Sequence, residues 1–131
     1  MYLLDTNICI AINRGNPNAI ANYSKNAKYS YICTVNLAEL YKGVYCSQQV
    51  AKNLTDLNNL LSLLPVVDVD RNAALEFGLI QGELRKIGKP TGVFDALIAA
   101  VARSRNDILV TDNTKDFQNI ANLQLENWLI P

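Results

Sequence analysis

The sequence contains no histidine, and this absence excludes several kinds of catalytic site. Imidazole general-base catalysis, Ser-His-Asp triads, Cys-His pairs and zinc sites with histidine ligands all require that side chain. Neither GxGxxG nor GxxxxGK(S/T) occurs, so the two familiar glycine-rich phosphate loops are also missing. If the protein is an enzyme, carboxylates and a bound metal ion are the main tools that remain to it.

Cysteines are few, and long apolar runs are missing. Cys9, Cys33 and Cys46 lack the spacing of a metal site, and their odd number and apolar surroundings indicate reduced thiols. We therefore expect a cytoplasmic protein. No run approaches the ~18 apolar residues of a membrane-spanning helix, and no signal peptide is recognisable. At 131 residues, 50% of them hydrophobic, the chain is expected to form a single domain over residues 1–131.

Short apolar runs alternate with stretches that have helical spacing. The runs that favour strands are "YLLD", "SYICT" (30–34), "VVDV" (66–69), "ILVT" (108–111) and "LQLEN". Between them, helices are expected at 35–45, at 50–64 ending before Pro65, after Asp70 with Ile87 on the buried face, and around "GVFDALIAAVARS" with Phe94 in the buried stripe. A further short helix is expected near 17–23. Such alternation predicts an α/β fold with a parallel sheet covered on both faces.

Acidic residues from separate parts of the chain are predicted to meet at one edge of this sheet. Asp5 ends the first strand, Glu39 lies just over one helical turn beyond the second, and Asp95 occupies the first turn of an apolar helix. Asp112 and Asp116 follow the "ILVT" strand. Functional residues of open parallel sheets collect beyond the carboxyl ends of the strands.

Each acid also has an ordinary structural interpretation. Asp5 is in a position typical of a helix N-cap, Asp95 would complement a helix dipole, and aspartates are common in polar turns such as "TDNTKDF". Their expected coincidence favours function, because clustered carboxylates repel one another unless a cation joins them. Magnesium or manganese, with a preference for oxygen ligands, fits such a cluster.

Four blocks of the sequence, "LLDTNICIAI", "TVNLAELYKGV", "GKPTGVFDALIAAVA" and "ILVTDNTKDF", occur in the order and at the spacing of PIN-domain ribonucleases. The chain most resembles the VapC-type toxins of bacterial type II toxin–antitoxin pairs, over essentially its whole length. The resemblance implies a PIN-like three-layer α/β/α fold with a central parallel sheet of about five short strands. It also implies a magnesium-dependent endoribonuclease, a cognate antitoxin and a homodimer.

The resemblance assigns the metal site to particular residues. Asp5, Glu39 and Asp95 match the first three acids of the family. Many PIN domains have a fourth aspartate where this chain has Asn113; some VapC relatives have an asparagine there and a later acid, which favours Asp116. Asp112 and Asn113 remain the alternatives for the fourth position.

Polar neighbours of these acids are candidates for orienting them. The hydroxyls of Thr6 and Thr111 and the amide of Asn7 are expected to donate hydrogen bonds to the ligands of the metal. Thr6 and Asn7 would equally serve as caps of the first helix.

The charge balance is compatible with an RNA substrate. Twelve basic and twelve acidic residues cancel, but removing four metal-bound acids leaves twelve against eight, a surplus of four positive charges. Arg85, Lys86 and Lys89 precede the loop that leads to Asp95, where they would contact phosphates or simply complement a helix end.

Two interaction surfaces and two rival functions follow from the same sequence. The apolar helices after Asp5 and residue 34 are expected to form a groove for an amphipathic antitoxin segment, with separate apolar surface for a homodimer.

One function that rivals the ribonuclease is an α/β phosphotransfer or phosphohydrolase domain with an acidic metal pocket, in which Lys115 would be the accompanying lysine. The other is a non-catalytic PIN-type binding module, which would be expected to have lost acids.

Overall fold

The computed structural model describes all 131 residues and shows the expected alternation of short strands and helices. The strands are β1 (Tyr2–Leu4), β2 (Ser30–Cys33), β3 (Val66–Val67), β4 (Ile108–Val110) and β5 (Gln124–Glu126). The helices are α1 (Thr6–Asn13), α2 (Pro17–Asn26), α3 (Thr34–Tyr45), α4 (Val50–Leu61), α5 (Arg71–Lys86), α6 (Val93–Arg105) and the short α7 (Thr114–Phe117). A single 3-10 turn, Ala27–Tyr29, precedes β2. None of the helices combines the length and the apolar character needed to cross a membrane.

The five strands form one sheet in the order β3-β2-β1-β4-β5, and every neighbouring pair is parallel. The first strand of the sequence is therefore the central strand of the sheet. Because all strands run the same way, their carboxyl ends share one edge, and the segments that follow β1, β2 and β4 emerge there side by side.

Two hydrophobic cores cover the two faces of the sheet. Leu3 belongs to the core formed with α5 and α6, whereas Leu4, the next residue, belongs to the core formed with α1, α3 and α4. Successive strand residues point to opposite faces, so a short apolar strand buried on both sides supplies both cores. The predicted three-layer α/β/α architecture is confirmed.

Two predicted core residues are on the surface instead. Phe94 is 58% exposed and Ile87 is 57% exposed. Burial of α6 begins at Ala96, so the first turn of the helix, which carries Phe94, projects beyond the core. Ile87 follows the last buried residue of α5, Leu84, at the helix C-cap. Helical periodicity predicts the side of a helix, but not where along its length the neighbouring layer ends.

Several element boundaries also differ from the predicted ones. β2 ends at Cys33 and Thr34 is already the first residue of α3, while β3 contains only Val66–Val67. α4 ends at Leu61, so that buried Leu64 reaches the core from the connecting loop rather than from the helix. The cap of α5 is as predicted, since the Asp70 carboxylate accepts a hydrogen bond from Ala73 N.

Candidate active site

Asp5 connects the central strand to the first helix and is held by two hydrogen bonds. Its Oδ1 accepts from the backbone N–H of Thr6 at 2.8 Å, which makes Asp5 the N-cap of α1. Its Oδ2 accepts from the Thr111 hydroxyl at 2.8 Å, across from the neighbouring strand. Capping and site placement are thus combined in one side chain, and the carboxylate is pinned at the sheet edge with only 7% exposure.

The surroundings of Asp5 make its ionised form costly. Burial raises the pKa of Asp5 from 3.8 to about 6, against the opposing effect of the hydrogen bonds from Thr111 and Thr6. The negative charges of Asp95 and Glu39 raise the pKa further. A carboxylate with these neighbours is stabilised when a cation approaches it.

The other two family acids lie close enough to interact. Glu39 is half-buried in α3, and its Oε1 accepts a hydrogen bond from the Thr6 hydroxyl at 2.7 Å. Asp95 is half-buried in the first turn of α6; burial raises its pKa, and Asp116 and Glu39 raise it further. Electrostatic repulsion therefore connects acids from α3, α6 and α7 with the carboxylate after β1.

The turn after β4 brings Asp116 rather than Asp112 toward Asp95. Asp116 raises the pKa of Asp95, and its Oδ2 accepts a hydrogen bond from the Asn113 amide. Asp112, which is exposed like Asp116, accepts only a long, 3.4 Å hydrogen bond from the Asn7 amide. The Thr111 hydroxyl accepts from Asn113 N at 3.0 Å, and this bond leaves its own proton for Asp5.

The acid set has the chemistry of a site for a hard cation, although the side chains do not surround one point. Its donors are all oxygens, which magnesium and manganese prefer. No ion pair of the protein involves Asp5, Glu39, Asp95 or Asp116, so their charges are not neutralised by lysine or arginine. No three acidic or thiol side chains lie close enough together to enclose an ion as they stand. The agreement with a metal site therefore rests on donor type and uncompensated charge.

A cluster at the opposite end of the sheet contains an acid, Asp107, whose negative charge is compensated by neighbouring groups. Asp107 accepts hydrogen bonds from the Tyr31 hydroxyl at 2.7 Å, the amino group of Met1 at 3.0 Å and Arg105 Nε at 3.1 Å. Although burial opposes it, these bonds lower the pKa of Asp107. The charge of Asp107 is therefore compensated by neighbouring groups, in contrast to the charges of the acids at the carboxyl edge.

One polar residue of the site was not predicted from the sequence. Asn36, in the first turn of α3, is completely buried. Its Oδ1 accepts from Cys33 N at 2.9 Å and its Nδ2 donates to the Thr6 hydroxyl at 3.3 Å. Its position in the sequence could have identified Asn36, because a polar side chain three residues after an N-cap residue commonly forms a hydrogen bond with the backbone of that residue.

Two clefts adjoin Glu39. A cleft of about 420 Å³ lies between α1, α3 and α4, where the sequence predicts a groove; its charged residues other than Glu39 are Arg14, Lys52 and Asp56. On the other side, a cleft of about 290 Å³ is lined by Val35, Ala38, Lys42 and the exposed ring of Phe94, among others. Arg85, Lys86 and Lys89 are exposed, as expected of residues that contact solvent or a ligand.

The PIN domain is the family whose sequence profile matches the chain, over residues 2–123. The tRNA(fMet)-specific endonuclease VapC of Shigella flexneri is 38% identical over 128 residues, which cover 97% of both chains. Ribonuclease VapC2 of Haemophilus influenzae is 36% identical over 98% of both chains. The chain belongs to the VapC family of PIN-domain ribonucleases.

Solved structures agree with this assignment. The chain in the DNA-bound VapBC structure from Salmonella typhimurium superimposes with a TM-score of 0.93, at 34% identity and 97% coverage of both chains. A VapBC2 structure from Rickettsia felis, bound to a DNA fragment from its promoter, gives 0.91 at 38% identity, covering 97% of this chain and 98% of that one. The family and the fold predicted from the sequence are thereby confirmed.

Proposed function

We propose that this protein is a magnesium-dependent endoribonuclease, with manganese as a substitute, and the toxin of a type II toxin–antitoxin module. The observation that carries the proposal is the group of four acids at one sheet edge, none of which has a cationic partner. Burial, and after it the repulsion between the acids, raises the pKa of Asp5 and Asp95, and a bound cation would favour their ionised forms.

Each acid has a role in this proposal that follows from its position. Asp5 and Asp95 would bind the ion directly, and Glu39 and Asp116 would hold it through water or through a second ion. Bound there, a divalent ion would activate a water molecule and polarise the scissile phosphate. The protein prepares the site in advance, because the Thr111 hydroxyl and the Thr6 amide fix the orientation of the Asp5 carboxylate.

An exposed aromatic ring beside the acids supports an RNA substrate. Phe94 immediately precedes Asp95, and its ring borders the 290 Å³ cleft that also contains Glu39 and Lys42. Unpaired bases stack on exposed aromatic rings, and a lysine contacts the adjoining phosphate. We propose that a base next to the scissile phosphate stacks on Phe94. Because two relatives are named tRNA(fMet)-specific endonucleases, initiator tRNA is the first substrate to test.

The cleft between α1, α3 and α4 supports an antitoxin partner. It has an apolar floor that includes Ile10, Leu40 and Leu57, and charges of both signs at its rim. An amphipathic segment would bury its apolar side chains there, next to Glu39. The VapBC structures of relatives are toxin–antitoxin complexes, and we expect an antitoxin to bind this chain as well.

We also propose a homodimer. The rival phosphotransfer hypothesis has less support, because Lys115 forms no salt bridge with any of the acids.

The decisive experiment measures cleavage of initiator tRNA by the purified protein with and without metal. Cleavage should require magnesium or manganese and stop in EDTA. Asp5→Asn and Asp95→Asn should each abolish it, since the site loses a charged ligand. Asp68→Asn, which changes an exposed aspartate outside the site, is the matched control and should cleave normally. Full activity in EDTA, or in Asp95→Asn, would contradict a metal-dependent nuclease.

A further inference from the structure

The buried amide of Asn36 has an orientation that its partners dictate. The backbone N–H of Cys33 is a donor only, so the atom that faces it at 2.9 Å must be the amide oxygen. The Cys33 thiol, 3.1 Å from the same oxygen, adds a second donor. The amide nitrogen of Asn36 therefore faces the Thr6 hydroxyl, 3.3 Å away, and donates to it.

This donation decides where the proton of the Thr6 hydroxyl goes. A hydroxyl has one proton. Because the Asn36 amide already donates a hydrogen bond to Thr6 Oγ1, the proton of the Thr6 hydroxyl is free for another acceptor. That acceptor is Glu39 Oε1 at 2.7 Å. Three successive hydrogen bonds thus run in one direction, from Cys33 N–H through Asn36 and Thr6 to Glu39. Hydrogen bonds in such a chain polarise one another and strengthen the last of them.

We propose that Asn36 is a positioning residue for the active site: through Thr6 it orients the Glu39 carboxylate toward the acids of the sheet edge. The inference rests on the proposed metal-dependent function, because its consequence is a higher affinity of the acid group for a divalent ion. Without Asn36, the Thr6 hydroxyl is free to rotate, and Glu39 loses a fixed donor. Asn36 itself touches neither metal nor substrate.

A purely structural role of Asn36 is distinguishable from this one. Asn36 also caps α3 through its bond with Cys33 N, and loss of a cap lowers stability whatever residue occupies position 6. The positioning effect, in contrast, passes through Thr6 and must vanish when the Thr6 hydroxyl is absent. A double-mutant cycle with Thr6→Val separates the two roles.

The test is Mn²⁺ binding by isothermal titration in the absence of RNA. Partners that orient a metal ligand affect affinity by ~10–100-fold, and Asn36 acts one hydrogen bond further away, so Asn36→Ala should weaken binding by roughly three- to tenfold. Thr6→Val should weaken it at least as much, and adding Asn36→Ala to Thr6→Val should produce little further loss. Thr6→Ser, which keeps the hydroxyl, should bind Mn²⁺ more tightly than Thr6→Val. Asn16→Ala, which removes the cap of α2, is the matched control and should lower stability alone.

Three results would overturn the inference. The first is an unchanged Mn²⁺ affinity in Asn36→Ala or, where that variant does not fold, in Asn36→Ser, whose shorter side chain lacks the amide group that donates to Thr6. The second is an equal loss with and without the Thr6 hydroxyl. The third is that the unaltered protein does not bind Mn²⁺, or that Asp5→Asn binds Mn²⁺ as tightly as the unaltered protein does. That result refutes the proposed function itself, whereas the first two refute only the role of Asn36.

Discussion

The buried carboxylate of Asp5 should make the metal-free protein less stable as the pH rises from 5 to 7. Burial raises the pKa of Asp5 from 3.8 to about 6, so between these values the folded chain retains a proton that the unfolded chain has released. The free energy of unfolding must therefore fall as the pH increases through this interval, and level off above it. The raised pKa of Asp95 acts in the same direction.

The size of the effect follows from the pKa difference. A rise from 3.8 to about 6 corresponds to about 3 kcal/mol over the whole interval, of which about 1 kcal/mol falls between pH 5 and pH 7. Asp107 has a lowered pKa, so the stability it contributes is lost only on acidification below this range. The interval from pH 5 to 7 thus reports mainly on Asp5.

Urea unfolding in EDTA at pH 5, 6 and 7, followed by the fluorescence of the single, buried Trp128, measures this dependence. Asp5→Asn should remove most of the slope and be more stable than the unaltered protein at pH 7. Saturating magnesium should restore the stability of the unaltered protein at pH 7, because the ion favours the ionised carboxylate. Asp68→Asn should retain the slope. Stability that is constant or rises from pH 5 to 7, or an equal slope in Asp5→Asn, would refute the reasoning.

The remaining expectations concern the turn after β4, the exposed ring of Phe94 and the assembly state. In single-turnover cleavage at saturating magnesium, Asp116→Ala should lose the most activity, Asn113→Ala less and Asp112→Ala least, with circular dichroism confirming the fold; a dead Asp112→Ala beside a normal Asp116→Ala would reverse the assignment of this turn. Phe94→Ala should raise the KM for RNA by about tenfold, equivalent to about 1.4 kcal/mol and within the range for one stacked base, while Phe94→Tyr stays near normal. An unchanged KM in Phe94→Ala would remove the stacking proposal. Light scattering at micromolar concentration should give about twice the 14.5 kDa of one chain, and a strictly monomeric protein would contradict the dimer.

Local sequence determined the elements of this protein and their order. The alternation of short apolar runs with helical patterns predicted every strand. The inner strands β1, β2 and β4 are mostly buried and therefore mostly apolar, whereas the edge strands β3 and β5 are partly exposed. Asp70 caps α5, as predicted, and Gly88, whose lack of a side chain permits a positive φ of 66°, follows the end of the helix. Asp5 directly follows β1, and functional residues of parallel sheets collect beyond the carboxyl ends of the strands. These two facts were sufficient to make Asp5 a candidate site residue.

Only the tertiary structure decided how the acids are connected. The strand order places β1 in the centre, and this placement lets Thr111, 106 residues away in sequence, donate to Asp5. Asn36 and Glu39 reach Thr6 across 30 and 33 residues, and the exposure of Phe94 depends on where the sheet beneath α6 ends. Periodicity encodes which face of an element is buried, whereas hydrogen bonds of 2.7–3.3 Å depend on the exact register of packed elements, and no single segment of sequence specifies that register.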